Sequence, residues 1–113
     1  MNANVGPGAG SSARDRVKFI VQEVLDQGQD PLLACRMISG LADQLPEIEL
    51  SIMDVFCGVA SEVDGLPIGP ERKHWNAEAL AALDQRAAIY RDAVSSAVTD
   101  ALRELRAVLD NSH

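Results

Sequence analysis

No glycine or proline interrupts the chain from Asn76 through Asp110. A stretch of that length, dense in alanine, the strongest helix former, has one regular option: a single α-helix. Leu80, Leu83, Ala87, Tyr90, Val94, Ala97, Ala101 and Leu105 recur along it at spacings of three and four, which lays one apolar stripe down its side. Asn76 is placed to cap its start. At 1.5 Å per residue a helix over 77–109 is about 50 Å long. A compact domain of this size has a radius of gyration of only about 13 Å. Such a helix therefore has to overhang, bend or lie along a partner. Ser95-Ser96 and Val98-Thr99 hold its poorest helix formers and are the expected place for a bend. The stripe is rich in Ala rather than uniformly Leu or Ile, which favours packing on the domain's own helices over a dimeric coiled coil.

The rest of the chain supplies what such a helix needs to pack against. Residues 1–10, rich in Gly with one Pro, have little to bury and read as a flexible N-terminal tail. From 11 to 113 the pattern is one helical domain. Ser11 and Ser12 are good N-caps, and Val17, Ile20, Val21, Val24 and Leu25 follow on one face until Gly28. This predicts a first helix over about 12–27. Asp30-Pro31 is a strong start signal, with Asp as N-cap and Pro in the first turn. Leu33, Met37, Ile38, Leu41 and Leu45 then share one face, with Gly40 inside the helix as either a point of close approach or an early end. Ile48, Ile52, Phe56 and Val59 have helical spacing, so 46–62 is read as a third helix. The alternative, a short buried strand at Ile52-Met53 and Val55-Phe56, has no second strand to pair with. Asp64-Gly65 and Leu66-Pro67-Ile68-Gly69-Pro70 are turn chemistry, opening a loop that runs to about Trp75. The expected fold is all-α: a helical hairpin and a shorter third helix packed against one long C-terminal helix.

Charge narrows the partners. The net charge is −7, and it is unevenly placed. From Met37 to Glu71 there is no Lys or Arg, yet this block holds Asp43, Glu47, Glu49, Asp54, Glu62, Asp64 and Glu71. Elsewhere acids and bases cancel. An acidic chain is a poor match for nucleic acid or for an anionic membrane surface. No apolar run reaches the roughly 18 residues of a spanning helix, and the N-terminus lacks the pattern of a signal peptide, so the expected location is cytoplasmic. The acidic block over 37–71 is either a solvated face that keeps the chain dispersed or a docking surface for a basic protein. Acidic inhibitors of basic nucleases work in the second way, which makes an immunity- or antitoxin-like role compatible with the charge.

The residues that carry chemistry form no recognised set. Cys35 and Cys57 lie among apolar residues and read as buried, reduced thiols. With His74 and His113 they lack zinc-ligand spacing, and Asp64-Gly65 lacks the remaining acids of a calcium loop. Ser61 or Cys57 with His74 has no nucleophile-elbow context. No metal, cofactor or catalytic residue is assigned. The grouping of most interest is Glu62, Asp64, Arg72 and Trp75, polar and aromatic side chains around a Pro/Gly-bounded loop. These four are the candidate binding residues. In the structural alternative, Arg72 pairs with an acid to pin the loop while Leu66 and Trp75 close the core.

The segment from Ser61-Glu62-Val63-Asp64-Gly65-Leu66-Pro67-Ile68-Gly69-Pro70 to Glu71-Arg72-Lys73-His74-Trp75, followed by Glu78-Ala79-Leu80, resembles a family of short uncharacterised bacterial proteins. That pattern is an acidic Ser-Glu-x-Asp-x-Leu-Pro-x-Gly loop, then Arg and Trp, before a long C-terminal helix. The resemblance implies a bacterial, cytoplasmic protein. It marks Glu62, Asp64, Leu66, Pro67, Gly69, Arg72 and Trp75 as defining positions, and it brings no activity with it. Three functions follow as expectations. The first is a non-enzymatic protein-binding module using the acidic 37–71 surface. The second is a homodimeric structural or adaptor protein joined through its long helix. The third is a small-molecule binder or enzyme centred on the Glu62/Asp64/Arg72/Trp75 loop.

Overall fold

The computed structural model describes residues 12–66, 68 and 70–111. Among them are four α-helices, α1 (Ala13–Leu25), α2 (Pro31–Leu41), α3 (Leu50–Glu62) and α4 (Ala77–Asn111), and no strand. Short 3-10 turns occupy Ala42–Gln44 and Pro70–His74. The expected N-terminal tail, together with Pro67, Gly69 and His113, lies outside the described residues.

The helix ends are where the local chemistry places them. The Ser12 hydroxyl accepts from the Asp15 amide at 3.1 Å and caps α1. At the other end Gly28, at φ +72°, turns the chain through a conformation that other residues adopt only at a cost, and its amide returns to the Val24 carbonyl at 3.2 Å. Asp30 caps α2, accepting from the Leu32 amide at 2.9 Å, with Pro31 in the first turn. Asn76 Oδ1 accepts from the Ala79 amide at 2.8 Å and starts α4. The third helix begins later than the pattern suggested: 46–49 form a turn after Leu45, and the helix starts at Leu50. Pro46 cannot donate an amide hydrogen to a helix continuing from α2.

α4 runs without interruption through Ser95-Ser96 and Val98-Thr99, so the weak propensity there is overridden by packing. Val98, Ala101, Leu102, Leu105 and Leu109 are all buried, and they meet Val17, Ile20 and Val21 of α1, Leu32, Cys35 and Ile38 of α2, and Ile52, Phe56 and Val59 of α3 in one aliphatic core. The inward stripe differs from the expected one: Ala97 is exposed while Val98 and Leu102 are inside, and Leu80, Leu83, Tyr90 and Val94 are only half-buried. Ala101 and Leu105 hold the expected register, and Val98, Leu102 and Leu109 beside them broaden the buried face so that α1, α2 and α3 all pack on it. The first half of α4 buries only Ala87. That half overhangs the bundle, with Ile89 67% exposed, and the Cα radius of gyration of 14.7 Å exceeds the roughly 13 Å of a compact domain accordingly.

α2 corrects a second expectation. Its buried residues are Leu32, Ala34, Cys35 and Ile38, while Met37 is 48% exposed and Leu33 and Leu41 are only half-buried. α2 is wedged between α1 and α3 under α4, and those neighbours take the Leu32–Cys35–Ile38 line. The Leu33–Met37–Leu41 line faces outward.

Candidate functional site

Five ion pairs knit the described elements, and every one joins an arginine to an acid on a different element: Arg14–Glu47, Arg36–Glu71, Arg72–Asp84, Arg91–Asp30 and Arg106–Asp26. Two of them reach into the acidic block. Arg14 of α1 takes Glu47 at 3.0 Å, and Arg36 of α2 takes Glu71 at 2.8 Å. The Glu47 carboxyl is held below its usual range by its own backbone amide and then by Arg14. Asp43, Glu49, Asp54, Glu62 and Asp64 make no ion pair among the described residues, and all five are exposed.

Four of these five lie along α3 or at its ends. The outward face of α3 consists of Leu50, Ser51, Asp54, Gly58, Ser61 and Glu62, all exposed, at helical positions that fall within about a third of a turn of one another. Leu50 is 77% exposed, the most exposed large apolar side chain among the described residues, and it sits between Glu49 and Asp54. Gly58 lies mid-helix, and a Cβ built there would meet nothing within 4 Å. The chain's own packing therefore gives no reason for a glycine that costs about 1 kcal/mol relative to alanine. At the C-terminal end of α3, Glu62 and Asp64 place negative charge against the negative end of the helix dipole, with no base in the last turn to offset it.

The 61–75 loop is pinned from both sides. The Arg36 guanidinium donates to the Leu66 carbonyl at 3.2 Å as well as to Glu71. Arg72 donates from both Nη1 and Nη2 to the carboxylate of Asp84 on α4, the second at 2.9 Å, and this holds the Asp84 carboxyl below its usual range. Of the four candidate binding residues, Arg72 is thus engaged with α4. Glu62 borders a shallow groove of about 420 Å³ with Leu66, Arg86, Ile89 and Tyr90. Burial, and then the nearby Glu62 charge, raise the Tyr90 hydroxyl above its ordinary value. Asp64 lies in the turn after α3, its amide donating to Ser61. Trp75 is 42% exposed, beyond the 3-10 turn, with its backbone amide on the Arg72 carbonyl. Trp75 therefore does not close the core. Leu66, earlier in the same loop, does pack there as one of the half-buried residues. A five-residue 3-10 turn followed directly by the Asn76 cap leaves the indole at the rim.

Cys35 is fully buried, and burial followed by the nearby Asp30 charge pushes its thiol up to about 12. Cys57 is only half-buried and takes a contact from the Ser39 hydroxyl at 3.5 Å. Among the described residues no group of three or more His, Cys, Asp or Glu is arranged to hold a metal ion. Among the described residues no helix is long and apolar enough to cross a membrane. Sequence reasoning missed Leu50, Phe19 and Met37 as surface residues. All three stand out only once the helices are phased, because apolar side chains are read by default as core. No family model, curated protein or solved structure matches the chain.

Proposed function

We propose that this protein is a non-enzymatic binding module that presents the outward face of α3 to a basic protein, in the manner of an immunity protein or antitoxin. The observation that carries this reading is Leu50, an exposed apolar side chain set among Glu49 and Asp54 on a face without a single base. Interfaces of this kind use an apolar anchor for affinity and the surrounding charge for encounter rate and partner choice. Two further features support it. Gly58 leaves a flat spot where a partner's backbone can approach, and Glu62 and Asp64 sit where they cost the helix stability. The resemblance of the 61–75 loop implies that the partner is met in the bacterial cytoplasm.

The test is capture from a bacterial lysate at low salt, with elution by rising salt. The parent chain is compared with Leu50→Ser and with Glu62→Lys/Asp64→Lys. A basic protein held by the parent, released by salt and lost by both variants is the expected result. Equal capture by all three chains, or no partner of defined composition, ends the reading and leaves the acidic face as a solvated surface.

A further inference from the structure

The outward sides of α1 and α2 leave a second, unrelated feature. Two adjoining hollows of about 650 and 300 Å³ form one apolar groove between the helices, with Phe19 and Met37 shared by both. These side chains are 39% and 48% exposed. The groove's two ends carry opposite charge. Arg16 borders one and Glu23 the other. Neither makes an ion pair among the described residues, whereas Arg36 and Asp30, which also border it, are engaged by Glu71 and Arg91.

Arg16 and Glu23 are seven positions apart on α1, which is two turns and about 10 Å along one face. The midpoint between them falls between Phe19 and Ile20. A two-fold axis through that point, perpendicular to α1, lays the helix antiparallel on a copy of itself. Arg16 then meets the partner's Glu23, and Glu23 meets the partner's Arg16. Phe19 is brought to the centre, beside the partner's apolar groove. An isologous contact requires a patch that is complementary to itself under such a rotation, and Arg16–Phe19–Glu23 has that property. Gly40 borders the groove near the end of α2, and a Cβ there would meet nothing within 4 Å, so α2 raises no obstacle to a second chain.

We propose that this groove is the contact surface of a homodimer in which two copies meet antiparallel across α1, held by Phe19 and Met37 and registered by reciprocal Arg16–Glu23 pairs. The outward face of two short helices covers roughly 400 Å² per copy, or about 800 Å² in all, which places the dimer among weak, concentration-dependent associations. The surface shares no residue with the outward face of α3, so this dimer and the binding of a basic partner stand or fall separately.

Sedimentation equilibrium of the full chain from about 1 μM to about 1 mM, the range in which so small an interface assembles, decides the matter. The parent is expected to pass from monomer to dimer within it. Arg16→Glu and Glu23→Arg, each of which turns two attractions into two repulsions, are expected to weaken the dimer about tenfold or more. The double variant Arg16→Glu/Glu23→Arg is expected to recover to within a few-fold of the parent, and Phe19→Glu to abolish assembly. A helical circular dichroism spectrum equal to the parent's shows that each variant is folded. A parent that stays monomeric throughout, a dimer indifferent to Phe19→Glu, or a double variant as weak as the single ones overturns the proposal. So does a groove found occupied by a different protein while the chain itself remains monomeric.

Discussion

Asp30 and Arg91 form a two-pronged ion pair, Nε to Oδ1 and Nη2 to Oδ2, each at 3.0 Å, while the same Oδ1 caps α2 by accepting the Leu32 amide at 2.9 Å. One carboxylate thus starts a helix and ties it to α4, 61 residues further along the chain. Asp30→Asn keeps the cap and loses the charge pair. Because both side chains are about a third exposed, the expected loss is under about 1 kcal/mol. Asp30→Ala loses the cap as well and is expected to cost about 1 kcal/mol more. Urea unfolding of both variants, with Arg91→Ala completing a double-mutant cycle, separates the two contributions.

Cys35 makes the protein sensitive to alkali. Its thiol is raised from 9.0 to about 12 in the folded chain, so between those values the unfolded chain loses a proton that the folded chain keeps. Stability from this group is complete below pH 9 and falls as pH rises toward 12, with a slope of up to about 1.4 kcal/mol per pH unit. Denaturant midpoints measured from pH 8 to 11 are expected to decline less steeply in Cys35→Ala, even though that variant starts from a lower stability. Thiol-reactive reagents are expected to modify Cys57 in the native protein and Cys35 only on unfolding.

Arg72 sets the titration of Asp84. With the guanidinium in place the carboxyl stays ionised below its ordinary range, so the pair's contribution is present above the ordinary carboxylate value and is lost as pH falls through the lowered one. In Arg72→Gln the carbon-detected NMR titration of Asp84 is expected to move back up toward an ordinary aspartate. An unmoved titration would mean that Arg72 does not hold it.

The outward face of α3 is expected to tolerate, even to welcome, substitution as far as folding is concerned. Glu62→Gln removes a negative charge from the C-terminal turn of a helix and is expected to stabilise by a few tenths of a kcal/mol, up to about 1. Gly58→Ala is expected to add up to about 1 kcal/mol, since the new Cβ meets nothing within 4 Å. Thermal melts check both. Stabilisation combined with loss of partner capture is the signature of residues kept for binding rather than for the fold.

These elements also show which parts of the molecule are legible in the residues. The starts of α2 and α4 were readable because caps act within three residues, as Asp30 with Leu32 and Asn76 with Ala79 show. The third helix was readable because Ile52, Phe56 and Val59 leave only one face for the core, and all three are buried; Ile48, also buried, lies in the turn that precedes it. α2 was not readable in the same way. It is apolar on two sides, and periodicity has no means of choosing Leu32–Cys35–Ile38 over Leu33–Met37–Leu41. That choice belongs to α1, α3 and α4, which arrive from elsewhere in the chain. For the same reason the pairing of Arg72 with an acid to pin the loop was among the sequence expectations, but not which acid: its partner Asp84 lies on the next helix. The acidic block was visible as charge, while the exposure of Leu50 within it depends on where α3 starts and which way it is rolled.

The Arg14 guanidinium of α1 donates to the carbonyl of Leu109 on α4 at 3.3 Å, across 95 positions of sequence, and Leu109 itself is buried with Val17 and Val21 in the common core. During synthesis, then, the side of α1 turned toward α4 waits for the latest of these helices. α1, α2 and α3 follow one another in the chain and can pack together while translation continues, but the part of the core that α4 completes stays wet until the ribosome has released Leu102, Leu105 and Leu109. A message cut short before those codons yields a chain with its apolar seam open, a substrate for quality-control proteases rather than a smaller version of the protein.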